Sequence, residues 1–104
     1  MDGSEAQSRN VRAAAHSRVR VRLPAHLVTL FPGAERLVPV TATTVSEMVE
    51  ALDRLWPGMG ARICDETPAI RRHINVFVEG RRARLSTPLP PGADVFVITA
   101  ISGG

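Results

Sequence analysis

The group in this sequence with the clearest chemical use is a carboxylate at the end of two glycines, Gly103 and Gly104. Glycine has no Cβ, so a chain ending this way can thread a narrow active site in another protein and leave its carbonyl carbon open to attack. An ordinary strand end would gain little from the same pair, which adds backbone entropy and no packing. A frayed terminus is the competing reading of Gly-Gly alone, and the residues before it must decide. The other reactive side chains form no comparable set. Cys64 is the sole cysteine, has no base in a recognisable signature with it, and is expected as a small buried hydrophobe. His16, His26 and His73 show no metal-ligand spacing with one another or with Cys64, so no metal is assigned.

The stretch that must position the glycines is Asp94 to Ala100, whose Val95, Phe96, Val97, Ile98 and Thr99 are strand formers suited to packing on both faces. It reads as a central strand. The four residues after it, Ile101 to Gly104, form a reactive arm that spans at most roughly 13 to 14 Å when extended. Upstream, residues 1–17 are small and polar without sustained periodicity and read as a flexible leader. Arg18, Arg20 and Arg22 then alternate with Val19, Val21 and Leu23, the signature of a half-buried strand. Pro24 ends it, and an ordered loop containing Pro32-Gly33 leads to a return strand over Leu37 to Thr41. Pro39 lacks the N–H that a central ladder needs, which places the return strand at a sheet edge.

Thr44-Val45-Ser46-Glu47 fits a capping box, with hydroxyl and carboxylate reciprocally satisfying backbone donors. The helix it opens carries Val45, Met48, Val49, Leu52, Leu55 and Trp56 on one face and stops at Pro57-Gly58. Residues 59–72 make an unusually long connection with a helical turn around Gly60 to Cys64. A strand over Ile74 to Glu79 follows, burying Ile74, Val76 and Val78 and turning Phe77 to the opposite face. A lone Phe on a polar strand face marks a candidate docking surface. Gly80-Arg81 is expected to turn the chain into a short segment, Arg82 to Leu85, and Pro90-Pro91-Gly92 delivers Asp94 into the last strand.

Composition narrows the functional classes. The chain has 104 residues, the size of one small domain. All 13 basic residues are arginine, against 10 acids, and they are interleaved with core positions without a single tyrosine. Nucleic-acid binders normally cluster their charge beside stacking aromatics, so a nucleic-acid partner is not expected. No apolar run approaches the roughly 20 residues needed to span a bilayer, and no membrane partner is expected. One cysteine and no secretory pattern at the start give a cytoplasmic expectation.

Strand, strand, capped helix, long connection, strand, short strand and final strand is the order of an α+β fold, the ubiquitin-like β-grasp. In it a mixed sheet of four to five strands packs on one main helix, with the last strand beside the first. Together with Ile74-Asn75-Val76-Phe77-Val78-Glu79-Gly80, Pro90-Pro91-Gly92-Ala93-Asp94 and Ile98-Thr99-Ala100-Ile101-Ser102-Gly103-Gly104, this order resembles the MoaD/ThiS family of ubiquitin-like sulfur carriers over residues 18–104. The resemblance implies that the protein is a cosubstrate and no enzyme. An adenylating enzyme of the ubiquitin-activating type would use ATP to convert the Gly104 carboxylate to an acyl-adenylate. Sulfur would then replace AMP to give a Gly104 thiocarboxylate, delivered inside a second, sulfur-accepting biosynthetic enzyme. Ile101, Ser102 and Gly103 would enter those active sites, Phe77, Arg20 and Arg22 would dock the partners, and no cofactor would be bound by the chain itself. The long connection resembles that of cysteine-biosynthetic carriers. The small subunit of molybdopterin synthase and a ubiquitin-like modifier conjugated through Gly104 are the alternatives.

Overall fold

A computed structural model describes residues 18–99. The Gly103-Gly104 end, the expected tail from Ile101, and the leader 1–17 lie outside the described residues.

The first strand, β1 (Arg18–Arg22), buries Val19 and Val21 completely while its arginines are exposed, as the alternation dictates. The segment expected as a loop instead contains a six-residue helix, α1 (Ala25–Leu30). Pro24 fills the position before it with φ −71°, its carbonyl accepts from Leu27 and Val28 N–H, and burial of Leu27 holds the turn against the core. The chain returns as β2 (Leu37–Thr41), antiparallel to β1 with Pro39 opposite Arg20. The five-stranded sheet has the order β2-β1-β5-β3-β4, where β3 is Ile74–Val78, β4 is Arg81–Arg82 and β5 is Asp94–Thr99. Pro39 is therefore on an edge strand, as its missing N–H requires. The other edge is only two residues long and both are arginine, a combination that discourages edge-to-edge pairing.

The main helix α2 (Val45–Leu55) crosses one face of this sheet and buries Val45, Met48, Val49 and Leu52. Its cap is half as expected. Thr44 Oγ1 accepts from Glu47 N–H at 3.2 Å, but the Glu47 carboxylate accepts from the N–H and hydroxyl of Thr43, one residue earlier than the box predicts. The remaining N-terminal donors are satisfied from outside the helix: Val45 N–H reaches Thr87 O and Ser46 N–H reaches Leu85 O. The segment entering β5 is thereby stitched to the helix start. Leu55, expected on the buried face, is 53% exposed, because the helix ends there and Trp56 takes the inward position.

Gly58, at φ +101°, reverses the chain into α3 (Met59–Ile63), the short turn foreseen near Gly60, which buries Met59 and Ile63. Asp53 Oδ1 accepts from both Gly58 N–H (3.1 Å) and Gly60 N–H (2.9 Å) and pins this corner. The β3–β4 turn falls one residue earlier than expected. Glu79 (φ 51°) and Gly80 (φ 83°) both adopt left-handed backbone, the two-residue geometry whose twist matches a hairpin, so Glu79 leaves the strand and Arg81 joins β4.

The principal correction concerns β5. It is central, parallel to β1 and antiparallel to β3, but only one of its faces is covered. Val95 and Val97 are buried under the helices, whereas Phe96 and Ile98 are 39% and 42% exposed. All three helices' buried residues join one core with Val19, Val21, Val38, Val40 and the inward residues of β3 and β5. Nothing among the described residues covers the opposite sheet face.

Candidate functional site

That open face is built by strand pleating and register. Residues directly opposite each other on paired strands point to the same side, so the ladder Leu37–Arg22–Phe96–Phe77–Arg82 runs across all five strands on the open face. A second row, Pro39–Arg20–Asp94, lies behind it, and Ile98 beside Asn75 forms a third row nearer the end of β5. The three docking residues expected from sequence are thus brought onto one surface. Phe77 is half-buried because Phe96 is its direct cross-strand neighbour. Arg22 places its guanidinium 5.3 Å from the centre of the Phe96 ring, within cation–π range. Arg20 differs from the expectation in one respect: its guanidinium grips Asp94 through two bonds, Nε to Oδ1 at 2.9 Å and a terminal nitrogen to Oδ2 at 3.2 Å. The pair is exposed, so it is worth under about 1 kcal/mol and chiefly fixes where the charge sits.

Phe96, Ile98 and Leu37 were not singled out by sequence reasoning, yet they form the apolar part of this surface. The missed signal was the arginine alternation in β1, which identifies the exposed side. Transferred across the β1–β5 register, in which Arg22 faces Phe96, it would have assigned Phe96 and Ile98 to the same side. The surface is cationic around its apolar centre: Arg18, Arg20, Arg22 and Arg82 share it with Asp94 as the one ladder acid.

The start and end of β5 set the direction of departure. Arg20 N–H donates to Ala93 O, Gly92 N–H to Arg18 O, and the Asp94 N–H to the Glu79 carboxylate at 2.7 Å, so the strand is anchored firmly where it begins. Its last pair is Thr99 with Ile74 on β3, and β1 accompanies it only as far as Phe96. Gly104, Gly103, Ser102 and Ile101 follow in sequence from that point but lie outside the described residues. Cys64 is half-buried, and burial and the neighbouring Asp65 charge push its thiol up, away from reactivity. Among the described residues no group of three His, Cys, Asp or Glu side chains could hold a metal ion. No helix among them is long and apolar enough to cross a membrane.

A five-stranded mixed sheet packed on one principal helix, with its parallel first and last strands adjacent, defines a ubiquitin-like β-grasp protein. Comparison with known proteins gives the family. The ThiS family model matches residues 21–104, and the chain belongs to that family, one of ubiquitin-like sulfur carriers and modifiers. Among solved structures, Haloferax volcanii SAMP1 is 26% identical, with a TM-score of 0.71 over 84% of this chain and 99% of that one. A chain of the Amycolatopsis orientalis BexX/CysO complex is also 26% identical, with a TM-score of 0.73 over 83% and 99% respectively. Mycobacterium tuberculosis CysO shares the fold at 21% identity, with a TM-score of 0.71 over 80% of this chain and 99% of that one. No curated protein matches.

Proposed function

We propose that this protein is a sulfur carrier acting through the Gly104 carboxylate. A carboxylate is a poor electrophile until it is joined to a good leaving group. In the proposed cycle a partner of the ubiquitin-activating type lets a Gly104 carboxylate oxygen attack the α-phosphorus of ATP, releasing pyrophosphate and leaving an acyl-adenylate. A sulfide or persulfide sulfur then attacks the acyl carbon and AMP departs; with a persulfide donor, reductive cleavage of the S–S bond by a thiol frees the thiocarboxylate. Apart from the Gly104 carboxylate itself, the chain supplies no base or nucleophile for these steps, and it binds no cofactor. Its part is to present the end of β5. The single observation that carries this reading is that the family match runs through Gly104 while the strand feeding that end is anchored at its start and flanked by an uncovered apolar and cationic face.

On that face Phe77, Arg20 and Arg22 dock the activating and sulfur-accepting enzymes, joined by Phe96 and Ile98. The BexX/CysO complex, in which a similar chain is found with CysO or BexX as its partner, supports a protein client. We place that client in cytoplasmic biosynthesis of cysteine or another small sulfur metabolite, with molybdopterin as the second choice. Intact-mass measurement after incubation with ATP, an adenylating partner and a sulfide source tests the reading. One sulfur replacing one oxygen at Gly104 is expected, and deletion of Gly104 should abolish it without altering the fold. Failure to gain sulfur with any cognate activating enzyme would sink it. A second reading, attachment of Gly104 to target lysines, is favoured by the likeness to a small archaeal modifier protein. Gly-Gly remnants on cellular lysines are its readout.

A further inference from the structure

Beside the docking face, along the outer side of β3, two adjoining cavities of about 200 Å³ and about 460 Å³ share Ile70 and Ala83 in their walls. They exist because β4 pairs with Phe77 and Val78 and the ladder then continues only through Ala83 N–H on Val76 O at 2.7 Å, leaving Ile74 and Asn75 without a neighbouring strand on that side. The apolar lining includes Ile70, Ala83 and Leu85; the polar lining is Asn75, Ser86, Arg71, which donates to Ala61 O at 2.7 Å, and three further arginines, Arg72 and Arg82 at one end and Arg84 at the other. None of these three guanidinium groups lies within 4 Å of a carboxylate among the described residues, where Arg20–Asp94 is the only ion pair. Asp65, at the base of the loop that forms the far wall, directs its carboxylate into that loop, accepting from Thr67 and from Ala69 N–H. The same cavity wall contains Asn75, whose Oδ1 is the one buried side-chain polar atom among the described residues that has no hydrogen-bond partner. That atom is closed to solvent, so an occupant of the groove does not reach it.

We infer that this groove, at the β4 edge of the open sheet face and away from its centre at Phe96 and Leu37, is a second docking site that takes an extended acidic segment of a partner protein. Each element of the groove specifies part of that occupant. Unpaired arginines call for carboxylates. The Ile70–Ala83–Leu85 lining calls for an apolar side chain between them, which an inorganic anion lacks. A second copy of this chain fits poorly, since both edges of the sheet would bring arginine or Pro39 to the contact. Asn75 and Ile74 are paired with Ile98 and Thr99, so an occupant would lie beside the end of β5 and fix the partner's position relative to the residues that follow it. The inference concerns binding and stands whether or not the carrier is loaded with sulfur.

The test is an amide NMR titration of the full chain with a blocked heptapeptide of alternating glutamate and leucine. Saturable shifts at Asn75, Arg72 and Ala83 are expected, weakening as salt rises. A heptapeptide with glutamine in place of glutamate, and the chain carrying Arg72→Gln with Arg82→Gln, should each bind about tenfold more weakly, the equivalent of roughly 1.4 kcal/mol. The inference is overturned by an absence of saturation, by shifts centred on Phe96 and Leu37, by equal affinity of the glutamine peptide or the arginine variants, or by inorganic phosphate reproducing the same shifts.

Discussion

Phe96 and Val97 are neighbours on one strand with opposite consequences for folding and binding, and the contrast tests the assignment of the open face. Phe96 is 39% exposed and Val97 is 2% exposed. A phenylalanine has about 200 Å² to bury, so roughly 80 Å² of Phe96 remains available to a partner. At about 25 cal/mol per Å² its coverage contributes roughly 2 kcal/mol, or about thirtyfold in affinity. In the free protein Phe96→Ala loses its cross-strand contact with Phe77 and the cation–π contact with Arg22, together about 1 to 2 kcal/mol. Val97→Ala removes fully buried methyl groups instead and should cost about 2 kcal/mol of stability with little change in affinity. Urea unfolding measures the first quantity and titration calorimetry with an adenylating partner measures the second. If Phe96→Ala binds as tightly as the unaltered chain, or if folded Val97→Ala loses affinity to the same degree, the open face is not the docking face and the reasoning fails.

Three further outcomes follow from the helix and its corners. Thr44→Ala removes the hydroxyl that caps Glu47 N–H and should lower unfolding free energy by about 1 kcal/mol, seen as a lower denaturant midpoint at unchanged slope. Glu47 is held below the ordinary carboxylate range first by the Thr43 hydroxyl and then by the Thr43 N–H. Its contribution is therefore complete above that range and is lost as pH falls through the folded value, so the stability gap between the unaltered chain and Glu47→Gln should close on acidification; a gap that widens would contradict the sign. Gly58→Ala must adopt φ +101° with its Cβ 3.5 Å from the Phe31 ring, and a loss of about 1 to 2 kcal/mol is expected in thermal unfolding, against almost none for Pro57→Ala on the exposed surface next to it.

Local rules carried much of this fold because they act between residues close in sequence. Alternation located β1 and the inward side of β3, Pro39 placed β2 at an edge, and the Thr44 cap with the Pro57-Gly58 stop bracketed α2. The likeness of the Ile74–Gly80 and Ile98–Gly104 segments to a known family pointed to the β-grasp and to Gly104. What could not be read there depended on partners distant in the chain. The Glu47 carboxylate chose between two adjacent donors, a difference of one residue that only the packed geometry of Thr43 resolves. The six-residue α1 has too few internal hydrogen bonds to announce itself and exists because Leu27 reaches the core. Above all, Val95 to Thr99 is apolar on both sides, so the sequence determined that it is a strand but was silent on which side faces water. That was decided when the helices packed on the face of Val95 and Val97 and left Phe96 and Ile98 aligned with Arg22 and Phe77, because burial of a sheet face is a property of what lies across it.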